Sequence, residues 1–267
     1  MTENNESARE DDLNGRVVLV VGASRGIGAA IARDVGRRGG KVVAAARSTE
    51  ALNQVCKDIP RQGGEAHAIT VDVTAPAAIE TSVRDIRSRV GPIEILIYAT
   101  GVAAVGPFES LDDDVWLQLY TVNVLGAVRY ARAVLPEMRG RGWGRIVMVA
   151  STAAKYGSRF QSPYNASKHA LLGLVRCLAL ETAALGITVN AVCPGFVDTE
   201  MVRAVMLPER ARLLGVDEDE VMKGLLDRVP TGQVLTVEEV SAMTVFLLSK
   251  AARNITGQGL TIDGGMI

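Results

Sequence analysis

Tyr164 and Lys168 are four residues apart in Ser162-Pro163-Tyr164-Asn165-Ala166-Ser167-Lys168. In a helix that spacing puts a phenol and an ammonium on one face, one turn from each other. Ser162 reads as the N-cap and Pro163 as the first helical residue, which places Tyr164 in the first turn. A phenol with a pKa of about 10 is a poor base at neutral pH, but a neighbouring cation and the positive end of a helix both favour its ionised form. Such a pair is proton-transfer equipment. Tyr-x-x-x-Lys also occurs by chance in many chains, as a packed ring with a solvated lysine, so the surrounding elements must decide. Ser151 ends the apolar run Arg145 to Ala150, where a hydroxyl either projects into a ligand crevice or bonds locally within a turn.

The elements that would position these groups alternate. Arg16 to Val21 is a β-branched and aliphatic run, the signature of a strand buried on both faces. It leads into Gly22-Ala23-Ser24-Arg25-Gly26-Ile27-Gly28 and then a helical stretch, Ala29 to Arg38. Strand, glycine turn and helix in that order suit a dinucleotide, because glycines let the backbone approach and the free amides of the helix start receive a pyrophosphate. The spacing Gly-x-x-x-Gly-x-Gly departs from the commoner Gly-x-Gly-x-x-Gly, and a turn without a ligand would look the same.

A second strand, Lys41 to Ala46, is followed by Arg47 and Ser48, where an NAD site usually has a carboxylate for the ribose 2′-hydroxyl. Arg47 and Arg25 can instead clamp a 2′-phosphate, which favours NADP(H) without excluding NAD(H); an ordinary solvated arginine is the other reading of Arg47. The alternation continues with a helix over Ala51–Gln62, a strand over Ala66–Val71, a helix over Ala77–Val90 and a strand over Ile93–Tyr98. Repeated βα units imply a Rossmann-like α/β fold, a doubly wound parallel sheet in a three-layer α/β/α sandwich, with ligands at the carboxyl ends of the strands. Asp72 stands at one such end and either accepts from an adenine amino group or caps the next helix. Gly101 puts a small residue beside the fourth strand. One long helix is expected from Asp112 to about Met138, with the Asn123 amide inside it.

In this order, Gly22-x-x-x-Gly26-x-Gly28, Asn123, Ser151 and Tyr164-x-x-x-Lys168 resemble the classical branch of the short-chain dehydrogenase/reductase family, over Leu13 to the C-terminus. Asn190 to Gly195 resembles the family's strand and Pro-Gly turn beside the nicotinamide, and Gly257 to Gly265 its last strand. The resemblance implies that Ser151 polarises a substrate carbonyl, Tyr164 is the general acid or base, Lys168 lowers the Tyr164 pKa and binds ribose, and Asn123 holds a relay water. It also places Ser24, Ile27, Ser48, Val73, Pro194, Gly195, Val197 and Thr199 along the cofactor. One departure is Tyr98-Ala99-Thr100-Gly101 where the family usually has Asn-Asn-Ala-Gly. The look is closest to 3-oxoacyl reductases and aromatic-polyketide ketoreductases, which implies reduction of a free or thioester-linked ketone by NADPH. An NAD(P)-dependent alcohol or hydroxysteroid-type dehydrogenase acting on a free small molecule, and a dinucleotide sensor without turnover, are the alternatives. The family also implies a homotetramer or homodimer.

Composition bounds the rest. A length of 267 residues with 48% hydrophobic content suits one catalytic domain, 13–267. The segment 198–228 reads as a substrate lid rich in Met and Leu. Arg203, Arg210 and Arg212 there either meet a carrier's phosphates or are solvated. With 29 basic and 30 acidic side chains, no polyanion-binding surface is expected, and so no nucleic acid. Cys56, Cys177 and Cys193 are odd in number and scattered, which favours reduced thiols and a cytoplasmic setting. His67 and His169 lack ligand spacing, so no metal is expected. Residues 1–12 read as a disordered acidic tail, and no apolar run approaches the ~18 residues of a membrane span.

Overall fold

The computed structural model describes residues 13–59 and 64–267. The expected tail and the end of the helix expected to reach Gln62 lie outside the described residues. Seven strands form one parallel sheet in the order β3-β2-β1-β4-β5-β6-β7. They are β1 (Val17–Val21), β2 (Lys41–Ala46), β3 (Glu65–Thr70), β4 (Ile95–Tyr98), β5 (Gly144–Val149), β6 (Ile187–Pro194) and β7 (Gly259–Ile262). The chain leaves β1 first toward β3 and later returns to its other side, so the order reverses between β1 and β4 and a crevice opens there at the strands' carboxyl ends.

Side-chain alternation divides the core into two. Val17, Leu19 and Val21 of β1 pack with α3 (Pro76–Arg89), α5 (Gly126–Arg141) and α6 (Ser162–Thr182) through residues such as Ile79, Val134 and Leu171. Val18 and Val20 face the other way, onto α1 (Gly26–Arg37), α2 (Thr49–Asp58) and α9 (Val237–Phe246) through Ile31, Leu52 and Val240. A period of two on a sheet covered on both faces explains why the strands read as unbroken apolar runs.

The long helix expected over 112–138 is interrupted. Asp112 caps α4 (Asp113–Tyr120) by accepting from the Val115 amide, a π turn follows over Thr121–Leu125, and α5 then runs on to Arg141. The wider π turn inserts one extra residue and re-aims the side chains it carries. α2 begins earlier than expected because Ser48 accepts from the Ala51 amide at 3.3 Å and caps it. Segment 198–228 folds into a π turn (Val202–Met206), α7 (Leu207–Leu214) and α8 (Glu218–Leu226), which close around their own cluster of Leu207, Ala211, Val221 and Leu225. Asp217, the first of four consecutive acidic residues, caps α8 by accepting from Glu220.

Candidate active site

Tyr164 and Lys168 are both buried on α6, with the Lys168 ammonium 5.7 Å from the Tyr164 ring centre. The helix starts one residue earlier than expected: the Gln161 carbonyl already accepts from the Asn165 amide at 2.9 Å, so Gln161 holds the cap position and Ser162 is helical. Tyr164 stays in the first turn. Lys168 Nζ donates to the Val149 carbonyl at 3.1 Å, which ties α6 to the end of β5. One residue past Ala150, Ser151 Oγ accepts from the Ala153 amide at 3.1 Å and so caps a short turn, while it remains hydrogen-bonded to the Tyr164 phenol. The local reading of Ser151, a hydroxyl bonded within its turn, holds.

Contrary to expectation, the phenol is not acidified. Burial pushes the Tyr164 pKa up, the Ser151 hydrogen bond pulls against that, and Tyr156 adds to the rise. Burial also pushes Lys168 down, to about 8, with Cys193 opposing. A dry site disfavours both charged forms, so at neutral pH the phenol keeps its proton. The lowered lysine has a consequence for stability. Below pH 8 the buried ammonium opposes folding in full; from about pH 8 to the unfolded value of about 10.4 the unfolded chain binds more protons, so stability rises with pH. Lys168→Met removes this slope. Its stability advantage over wild type in urea unfolding will shrink by on the order of 2 kcal/mol between pH 7 and 9.5, at about 1.36 kcal/mol per pH unit above 8. An advantage that stays constant would show that the lysine is not depressed.

Asn123 is buried in the π turn, and the turn explains its aim. Its Oδ1 accepts from the Val102 amide at 2.8 Å, and its Nδ2 donates to the Val102 carbonyl at 3.0 Å and to Ser167 Oγ at 2.9 Å. Both amide protons are thus committed to protein. Asn123 fastens the loop after β4 to α6 one turn from Tyr164. Ser167, which donates to the Tyr164 carbonyl at 2.8 Å, is a site residue that the motif reading missed, although its i+3 spacing from Tyr164 could have flagged it.

The glycine turn fits a dinucleotide. Arg25 is the N-cap of α1 and makes no side-chain cap, which leaves the first amides of the helix open to an anion. Gly22 has φ +90°, and a Cβ there would come within 2.6 Å of the Thr100 amide and 2.8 Å of the Ala99 carbonyl carbon, so only a bare backbone lets the two loops meet. A Cβ on Gly101 would stand 3.3 Å from Asn123 Oδ1 and 3.4 Å from Lys168 Nζ, crowding both side chains. Thr199 lies over the turn, with its methyl 3.7 Å from where a Gly26 Cβ would be. Arg47 is exposed just past β2 and joins none of the ion pairs among the described residues. The Arg25 guanidinium is exposed and paired with Glu200, which opens the flap formed by segment 198–228. Asp72 Oδ1 accepts from the Thr74 amide and hydroxyl, both at 2.8 Å, which holds its carboxyl below the usual range with Arg47 helping. It caps the turn before α3.

A cleft of about 690 Å³ including its open mouth lies beside Ser151 and Tyr164. Ser151, Tyr164, Pro194, Gly195 and Thr199 line it with Ile27 of the glycine turn, and Met201, Val202 and Met206 come from the flap. Among the described residues no group of three or more His, Cys, Asp or Glu side chains gathers as a metal site, and no helix is long and apolar enough to cross a membrane. His67 bonds Glu65 and His169 bonds the Asn165 carbonyl.

Residues 16–209 match the family described as short chain dehydrogenase. The chain belongs to that family. This short-chain dehydrogenase is 34% identical over 255 residues to the 3-oxoacyl-[acyl-carrier-protein] reductase of Escherichia coli, covering 96% of this chain and 98% of that protein. Among solved structures it resembles an actinorhodin polyketide ketoreductase variant with NADPH, at 37% identity and a TM-score of 0.91, covering 96% of this chain and 98% of that one. It also resembles a gluconate 5-dehydrogenase from Burkholderia cenocepacia in complex with NADP and tartrate, at 29% identity and a TM-score of 0.88, covering 97% of each chain.

The dehydrogenase's departure after β4 has a structural counterpart. The Tyr98 phenol donates to the Val122 carbonyl at 2.5 Å, inside the π turn that carries Asn123. Burial pushes its pKa up, so it remains a donor. Where the asparagine brace is missing, a buried tyrosine pins the neighbouring turn.

Proposed function

We propose that the enzyme reduces a ketone to a secondary alcohol with NADPH, acting on a 3-oxoacyl, polyketide or cyclic ketone. The observation that carries this reading is a cleft lined by Ser151 and Tyr164, with Lys168 buried one turn further along α6, and also lined by Ile27 from the glycine turn and by Pro194, Gly195 and Thr199. The names of the relatives, reductases of oxoacyl and polyketide ketones, agree with it.

The open amides at the start of α1, with Gly22 and Gly26 to Gly28, would hold the pyrophosphate, and Ser24 and Ile27 flank it. Arg47 beside Ser48 would take the 2′-phosphate, Asp72 and Val73 the adenine side, and Gly101, Pro194, Gly195, Val197 and Thr199 the nicotinamide half. NADPH, when bound, supplies the hydride. Ser151 donates to the carbonyl oxygen and fixes its position. Tyr164 Oη gives its proton to that oxygen as negative charge develops there, and the raised phenol pKa keeps the proton available at neutral pH. Lys168 then stands beside the phenolate as its counter-charge and contacts the ribose. Asn123 holds the loop after β4 and α6 in register. The flap 198–228 would close over the substrate, and the exposed Leu180 on α6 suits an oligomer contact of a homodimer or homotetramer. A cytoplasmic location accords with the three free cysteines.

NADPH oxidation, followed by nicotinamide absorbance over a panel of β-oxoacyl thioesters, cyclic ketones and aryl ketones, tests the reading. Turnover with one class supports it, and tight NADPH binding with no turnover anywhere would favour the sensor. Arg47→Asp will reduce the NADPH-to-NADH ratio of kcat/KM by about 100-fold, the scale of replacing a charge-assisted phosphate contact with a repulsive one. An unchanged ratio would remove Arg47 from cofactor selection.

A further inference from the structure

One wall of the cleft is basic and incompletely bonded. Gln161, only 3% exposed at the cap of α6, accepts from Arg210 Nη2 through its Oε1 at 2.8 Å, while its buried Nε2 has no hydrogen-bond partner. The buried Nε of Arg210 has none either. Arg228 lines the same wall, with its guanidinium 5.9 Å from the ring of Tyr156. Among the described residues no Asp or Glu lines the cleft, and neither Arg210 nor Arg228 joins an ion pair. The neighbouring arginines behave differently: Arg203 pairs with Asp198 and Arg212 with Glu209, both exposed. Arg210, half-buried beside a cleft without a carboxylate and with two buried donors around it unfilled, is unfavourable until an anion supplies the counter-charge, and the exposed Arg228 adds positive charge at the rim. Burial, with Arg228 adding to it, already presses Arg210 toward its neutral form against the opposing influence of Tyr156.

We infer that Gln161, Arg210 and Arg228 form a subsite for a carboxylate of the substrate, so that the ketone reduced is an oxo acid. The inference rests on the ketoreductase reading and narrows it. Gln161 precedes Tyr164 by three residues at the same helix start, and both line the same cleft. Carbonyl and anion are therefore separated by a short spacer. The phosphates of a thioester carrier, at the far end of a long pantetheine arm, do not fit that span.

The test compares a short-chain oxo acid, its primary amide and its coenzyme A thioester as substrates for wild type, Arg210→Met and Arg210→Lys. Wild type is expected to prefer the acid over the amide by about 30-fold in kcat/KM, mainly through KM, the scale of one charge-assisted pair. Arg210→Met will reduce that ratio to within about 3-fold, and Arg210→Lys will restore part of it. A wild type that reduces acid and amide equally, or an Arg210→Met that lowers both alike, overturns the subsite. Preference for the thioester that is lost in Arg210→Met would assign the anion to a carrier phosphate and overturn it too. In parallel, thermal unfolding of the free enzyme is measured with the corresponding hydroxy acid and hydroxy amide. If no ketone is reduced, the ketoreductase reading fails, and this shift decides the subsite by itself: stabilisation by the acid alone, absent in Arg210→Met, supports it, and equal shifts refute it.

Discussion

Tyr164→Phe will lower kcat for ketone reduction by about a thousandfold while the Kd for NADPH stays within about 3-fold of wild type, the middle of the range for a lost general acid. The ring packs with Leu119 and Ala153, and phenylalanine fills that volume equally, so the substitution removes one hydroxyl and little else. What disappears is the proton source that the site keeps loaded, because burial holds the phenol protonated. Single-turnover kinetics with saturating NADPH separates chemistry from binding, and a titration of NADPH fluorescence gives the second number. If the Tyr164→Phe variant retained a tenth of wild-type kcat, Tyr164 would not be the acid. If NADPH binding fell with activity, its role would be structural instead.

The parts of this enzyme that could be read from the chain are those encoded locally. Val17 to Val21 is apolar at every position because both sheet faces are covered, and that pattern survives without any knowledge of partners. Tyr164 and Lys168 share a face because a helix has a fixed period, and the surrounding residues specify the helix. What could not be read depends on distant contacts or on small backbone changes. The π turn at Thr121–Leu125 differs from an ordinary helix by one inserted residue, and no residue type marks it. Ser162 has the right type for a cap, but the Gln161 carbonyl takes the first helical bond. The expected lowering of the Tyr164 pKa followed from its neighbour's charge; the depth at which both groups lie reverses it, and depth is a property of the whole fold. Arg210 was indistinguishable from Arg203 and Arg212 in the chain. Its partner Gln161 lies 49 positions away, and only folding separates the arginine that enters the cleft from those paired on the surface.

Gly28→Ala will destabilise the enzyme by at least about 3 kcal/mol and abolish NADPH binding, although Gly to Ala inside a helix is ordinarily favourable by about 1 kcal/mol. The reversal comes from the turn. A Cβ on Gly28 would overlap the Gly22 carbonyl oxygen, lie 2.7 Å from its carbon and reach 3.2 Å from the Ala23 amide nitrogen, all backbone atoms of the glycine turn. Backbone has no rotamer to yield, so either the helix start or the turn must move, and each carries the open amides. Gly26→Ala is the informative contrast. Its φ of +54° costs about 1–2 kcal/mol for a side chain, but the nearest atom is a flexible methyl of Thr199 at 3.7 Å, so the cradle keeps its shape. Urea unfolding with NADPH titration on both variants will therefore rank Gly28→Ala as the far more damaging. Equal losses would mean that positive φ rather than the close approach of α1 to the Gly22 carbonyl sets the glycine requirement, and a stable, cofactor-binding Gly28→Ala would show that the helix does not pack against the turn in this way.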